Sequence, residues 1–259
     1  MSTSWRKKID QIVQSKLENA GFRVVNDHFM YALTMSEDVE CVVQVTQSFR
    51  HSPVFSTDIL TTVGVVHREV AALAEFLMSS QQLEFVYDRA SYVCNYLRWT
   101  SAIVYVSLGY LRQQRAAAES SELLYDKNTK ALHKLLDRFG GPGTRAYDKY
   151  SDFSAIANDV DRIVADLIAL GIPFCEKYGS IESIISVLNL QPDERKYGAN
   201  DLINHLAAAY ILNGDFDSPE QLVDSTYNAL VREGQRNLEP FERFRNRTKE
   251  EIRRRRLSH

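Results

Sequence analysis

Cysteine is scarce in this chain: Cys41, Cys94 and Cys175 lie far apart, each flanked by apolar or aromatic residues. An odd, sparse set is not a disulfide framework, and free thiols in such surroundings are expected to be buried as small hydrophobes. Neither a C-x-x-C nor an H-x-x-x-H spacing occurs, so no zinc site announces itself. His28, His51 and His67 with Asp58 sit at strands or strand ends, but nothing in their spacing requires a metal, and none is expected.

Long apolar runs are also missing. The most apolar stretch, Ser101 to Leu111, is about half the length that a membrane-spanning helix needs. The opening segment, MSTSWRKKIDQIVQSKLENAG, scatters charges where a signal peptide would have an apolar region. The expectation is a cytoplasmic protein with no membrane partner.

Reactive motifs are absent as well. No serine stands in a G-x-S-x-G elbow, and Gly179-Ser180 reads as the end of one helix and the cap of the next. Gly140-Gly141-Pro142-Gly143-Thr144 lacks the lysine of a phosphate-binding loop and follows a helical stretch, so it reads as a connector. With no catalytic constellation, the residues argue against an enzyme and imply no cofactor.

What is present is an ordinary globular composition, 44% hydrophobic and 25% charged. The net charge of −3 offers no global attraction to nucleic acid or anionic lipid. The charge is unevenly placed: nine Lys/Arg against four Asp/Glu from Arg236 onward leave the remainder of the chain at −8.

Helical spacing of Trp5, Ile9, Ile12, Val13, Leu17 and Ala20 predicts an amphipathic first helix, with Gly21 as its left-handed stop. Three β-rich stretches follow, Phe22 to Thr34, Val39 to Phe49 and Val54 to Val66. Their short polar links favour antiparallel neighbours. On the second, Cys41, Val43, Val45, Gln47 and Phe49 share one face and Glu40, Gln44, Thr46 and Ser48 the other, with Val42 among them, the pattern of a sheet buried on one side.

Val70, Leu73, Ala74 and Leu77 return to helical spacing. Leu83 to Tyr87 and Ala90 to Trp99 read as two further strands. Ser101 to Gln114 reads as either helix or strand, with helix favoured from Ile103 onward, and a further helix is expected from Ala116 to Phe139. Beyond Asp152 every segment reads as helical: a stripe from Ile156 to Leu167 ending at Gly171 and Pro173, then a helix capped by Ser180. The next carries Leu202, Ile203, Leu206, Ala207 and Tyr210. After the turn Asn213-Gly214-Asp215, another starts at a Ser218 cap with Pro219 and Gln221. Pro240 to Leu257 closes the chain, with a thin apolar face of Phe241, Phe244 and Ile252.

The fold class expected is α+β: an N-terminal antiparallel sheet with flanking helices, residues 1–115, followed by an all-helical part, residues 116–259. The two helices around Asn213-Gly214-Asp215 resemble a single tetratricopeptide-like hairpin, too little to make a solenoid.

Gly21-Phe22, the aromatic Phe29, Val45-Thr46-Gln47-Ser48 and Thr61-Thr62-Val63-Gly64-Val65 form a pattern that resembles the bacterial domain-of-unknown-function family 4304. Its members read roughly G-F, then F, then V-x-x-Q, then a strand ending in L-G-I/V. Leu170-Gly171-Ile172-Pro173-Phe174, with Glu176, Lys177, Tyr178 and Ser180, looks like that family's helical continuation. The likeness covers residues 5–66 and 160–190, while residues 100–150 run longer and more helical than the family. It implies fold and bacterial origin, and no activity.

Two contact regions stand out. Gln47, on the apolar face of its strand, must find hydrogen-bond partners if buried, and with Arg50 and His51 it could line a ligand or partner pocket. Arg243, Arg245, Arg247 and Arg253 to Arg256 are candidate phosphate contacts, although Glu239, Glu242, Glu250 and Glu251 dilute them. Glu250 and Arg254 are spaced for a favourable helical ion pair. The favoured function is a non-enzymatic protein-interaction module of a bacterial cytoplasmic protein, with an immunity or defence setting by analogy. The alternative is nucleic-acid binding through the basic C-terminal helix.

Overall fold

In a computed structural model of the chain, the described residues are 4–26, 30–50, 56–78, 102–119, 146–147, 150–190, 198–199 and 203–258. The fold class is α+β, an antiparallel sheet with flanking helices followed by a helical C-terminal region. Two compact units are interleaved along the chain. One comprises Met1–Ser36, Glu40–Val65 and Tyr105–Lys177, the other Glu37–Val39, Val66–Val104 and Tyr178–His259.

The first unit opens with α1 (Ser4–Asn19), which buries Ile9, Val13 and Leu17 and exposes Lys7, Lys8, Gln11 and Glu18, as its spacing predicts. Gly21 has φ +90° and ends the helix. The Phe22 N–H donates to the Leu17 carbonyl at 3.0 Å and the Gly21 N–H to that of Glu18 at 3.0 Å, a pair of bonds that answers the last orphan carbonyls.

The expected strand Phe22 to Thr34 is instead a hairpin, β1 (Arg23–Asn26) against β2 (Met30–Thr34), with an irregularity between Val24 and Asn26. β2 runs antiparallel to β3 (Val39–Arg50), with Tyr31 opposite Val43 and Leu33 opposite Cys41. β4 (Ser56–His67) and β5 (Val104–Ser107) continue the order β1-β2-β3-β4-β5, and β6 (Ala146–Tyr147) pairs with β4. The short strand β5 and α3 (Leu108–Glu119) replace the helix expected from Ile103. The β-branched Val104 and Val106 are buried there, whereas helical pairing starts only at Leu108.

One-sided burial does not describe β3. Glu40, Val42 and Gln44 are buried as well as Cys41, Val43 and Val45, so both faces are covered along this stretch. Arg23 answers the Glu40 carboxylate with an ion pair, which is what lets a charge sit there.

α1 packs on α4 (Phe153–Asp166), and Lys16 ion-pairs with Asp161 at 2.8 Å. Gly171 and Pro173 do not stop this helix. A π-helical turn, Leu167–Gly171, carries it into α5 (Ile172–Tyr178). A proline lacks the N–H that the preceding turn would receive, and the wider turn absorbs the mismatch. A Cβ at Gly171 would lie 3.4 Å from Val63 Cγ2, so the turn passes close to β4.

Cys41 and Cys175 are free and fully buried, as expected of these two thiols, while Cys94 lies outside the described residues. A hydrogen bond with Cys41, and then burial, raise the Cys175 pKa, so it stays a thiol. Its Sγ also lies 3.5 Å from the Gly64 carbonyl.

The second unit is built from α2 (Arg68–Leu77), α6 (Ile181–Leu188), α7 (Ile203–Leu212), α8 (Asp217–Arg232) and α9 (Glu239–Arg256). α2 buries Val70, Leu73, Ala74 and Leu77, the stripe its spacing predicts. α7 is central: it packs on α2, α6 and α8, with Ala207, Ala208 and Ala209 fully buried. Three small side chains in a row let neighbours approach from several sides, which is why no single apolar stripe describes this helix. Asn204 and His205 are buried, whereas Leu206 and Tyr210 of the expected stripe are half-buried.

Ser180 caps α6 as expected, accepting from the Ser183 N–H. The start of α8 differs from its reading. Asp215, not Ser218, is the cap: its Oδ1 accepts from the Ser218 N–H at 3.0 Å and the Asp217 N–H at 3.2 Å. The Ser218 hydroxyl donates to Asp215 Oδ2 at 2.6 Å. A carboxylate outcompetes a hydroxyl for helix-terminal N–H groups, and these bonds lower the Asp215 pKa against the cost of partial burial. The strands expected at 83–87 and 90–99, the helix over 120–139 and the glycine-rich connector lie outside the described residues.

Candidate functional site

α9 contains 18 residues, among them seven arginines and one lysine, yet it is not a bare cationic rod. Asp224 on α8 receives Arg245 at 2.5 Å and Lys249 at 2.8 Å. These two bonds hold its pKa down despite partial burial. The Arg245 guanidinium also lies 4.8 Å from the Tyr227 ring centroid, and the Tyr227 hydroxyl donates to Glu242. Arg256 pairs with Asp217 and Glu220, and Arg243 with Glu239. Phe241 and Phe244 meet edge to face at 5.6 Å beneath this layer. Most of the basic run therefore ties α8 to α9 or α9 to itself.

Glu251 organises the rest. Its side chain is only 4% exposed, and it accepts from Arg254 at 2.7 and 2.8 Å and from Arg255 at 2.7 Å. Arg254 is the main cause of its lowered pKa. The expected pair Glu250–Arg254 gives way to Glu251–Arg254, since the buried carboxylate has more to gain from a cation.

Beside this cluster α2, α7 and α9 bound a groove of about 610 Å³. Its floor is apolar: Ala72, Leu73, Phe76 and Leu212. Phe76 is 62% exposed, a large aromatic left in water on the side of α2 away from its buried stripe. The rim is charged, with Glu69, Glu250 and Glu251 against Arg247, Arg254 and Arg255. Among the described residues Glu69, Glu250 and Arg247 make no ion pair.

Of the seven arginines singled out in the sequence, the structure thus brings Arg247, Arg254 and Arg255 to one groove. Arg243, Arg245 and Arg256 are engaged elsewhere, and Arg253 is exposed outside the groove. Gln47 and Arg50 belong to β3 by their backbone, but their side chains, and all of His51, lie outside the described residues. The groove floor was missed in the sequence. The signal was Phe76 itself, an aromatic out of phase with Val70, Leu73, Ala74 and Leu77.

His67 is buried at the start of α2, while His28 and the Asp58 side chain lie outside the described residues. Among the described residues no group of three or more His, Cys, Asp or Glu is placed to hold a metal ion, and no helix is long and apolar enough to cross a membrane. One buried base stands apart from the groove: burial pushes the His205 pKa down to about 4, and its Nδ1 has no partner. Comparisons with protein-family models, curated proteins and solved structures find no match.

Proposed function

We propose that this chain is a non-enzymatic protein-interaction module whose docking site is the groove bounded by α2, α7 and α9. The observation that carries the reading is Phe76, exposed over an apolar floor and ringed by charges of both signs. A solvent-exposed aromatic of this kind is the usual anchor of a protein interface, where desolvating it against a partner supplies the binding energy.

The rim favours a protein over a nucleic acid. Three arginines and three glutamates sum to no net charge, whereas a phosphate backbone is held by an excess of cations. The pairing of Arg243, Arg245, Arg254, Arg255 and Arg256 with acidic residues supports the same choice. A bacterial origin belongs to the proposal through the likeness to family 4304, a cytoplasmic setting through the sparse cysteines and charged opening segment, and an immunity or defence role through analogy of fold alone.

Affinity capture from native lysate with the wild-type chain and with Phe76→Asp tests the reading. A stoichiometric protein retained by the wild type and lost with the variant is the expected result. Equal recovery by both, or no protein with either, overturns it.

A further inference from the structure

We infer that the occupant of the groove is an amphipathic α-helix presenting an apolar anchor to Phe76, an acidic residue to Arg247, and a basic residue to Glu69 or Glu250. This rests on the interaction reading above and adds the chemistry of the partner.

The helical form follows from the walls. All three are helices, whose backbone N–H and C=O groups are spent within each helix except at the ends. Among the described residues no strand edge borders the groove. An extended guest would therefore find no ladder of hydrogen bonds and would desolvate its own backbone against apolar side chains. A helix arrives with those bonds made and offers side chains at helical spacing to a groove lined by Leu73, Phe76 and Leu212.

The charges follow from what the rim leaves unanswered. Arg247 and Glu251 are four residues apart on α9, the spacing of an intrahelical ion pair. Arg254 and Arg255 take that carboxylate, so the Arg247 guanidinium keeps donors that an incoming carboxylate can meet with two parallel bonds. Glu69 and Glu250 are likewise unpaired among the described residues and ask for a cation. A guest of one sign would satisfy one part of the rim and be repelled by the other.

The test uses the full chain as bait for a displayed library of 20-residue peptides with randomised positions, selected in parallel on wild type, Phe76→Asp and Arg247→Glu. The wild type is expected to enrich peptides with apolar residues three and four apart, at least one acid and one base, and no proline. Phe76→Asp is expected to enrich none of these. Arg247→Glu is expected to bind the wild-type winners about tenfold more weakly, the scale of one partly desolvated charge pair, and to select a lysine or arginine where they carry the acid.

Enriched sequences without helical spacing, or the same acid chosen by both wild type and Arg247→Glu, overturn the inference. So does Phe76-dependent self-association of the bait in sedimentation, which makes a second copy the occupant. If the peptides fail while a lysate protein is still lost with Phe76→Asp, the helical guest is wrong and the interaction reading survives. Circular dichroism of each bait confirms that a lost signal is not a lost fold.

Discussion

On α9, Arg247 stands one helical turn before Glu251 and makes no ion pair with it, because Arg254 and Arg255 hold that carboxylate from the turn beyond. The same contacts neutralise a buried acid and leave a guanidinium on the groove rim.

Glu251→Gln keeps the shape and removes the charge. The expected cost is about 1–2 kcal/mol in urea denaturation at pH 7, since Arg254 is free to rehydrate. Glu251 has a folded pKa below its ordinary value. Its contribution is therefore present above the ordinary carboxylate range and lost as pH falls through the folded value. The variant should show a shallower acid limb, and an unchanged one would refute the assignment.

His205 gives a pH dependence in a higher window. The unfolded imidazole takes a proton as pH falls through 6.5, whereas the folded one waits until about 4. Stability should therefore fall from pH 6.5 downward at about 1.4 kcal/mol per unit, reaching about 3 kcal/mol near pH 4. His205→Gln should flatten the stability profile between pH 6.5 and 5, where the carboxylates are still ionised. An equal slope in both proteins would place the dependence elsewhere.

The cap of α8 can be assigned by comparing two alanines. Asp215→Ala removes the acceptor of two backbone N–H groups and should cost about 1 kcal/mol. Ser218→Ala leaves those bonds in place and should cost clearly less. The reverse order of unfolding midpoints would restore Ser218 as the cap.

Gly21→Ala isolates a backbone cost. A Cβ there would lie 3.7 Å from Leu33 Cδ1, an ordinary contact, so the φ of +90° is the only obstacle. A loss of about 1–2 kcal/mol is expected from thermal unfolding, with Gly21→Asn less harmful because asparagine tolerates this region.

How far the sequence carries depends on how local the signal is. α1 with its Gly21 stop, the α2 stripe and the Ser180 cap each rest on a few neighbouring residues, and all are found as read. The α+β class follows from the same periodicities. Features decided by distant residues were not readable. The continuation of α4 through Gly171 and Pro173 depends on a π-helical turn close to Val63. Burial of Glu40 depends on Arg23, seventeen residues earlier. α7 hides its stripe because it is enclosed by three helices. The basic run was visible, but its acidic partners on α8 were not, and the groove floor joins residues 72–76 to Leu212.

Docking of a partner protein in the groove can be read from crosslinking, with a photoreactive side chain placed at the exposed Ala72 and, as a control, at the exposed Gln14 of the first unit. After irradiation in native lysate, one protein adduct is expected from the Ala72 position, abolished by Phe76→Asp, and none from Gln14. Adducts from Gln14 alone, or from Ala72 whether or not Phe76 is present, would contradict it.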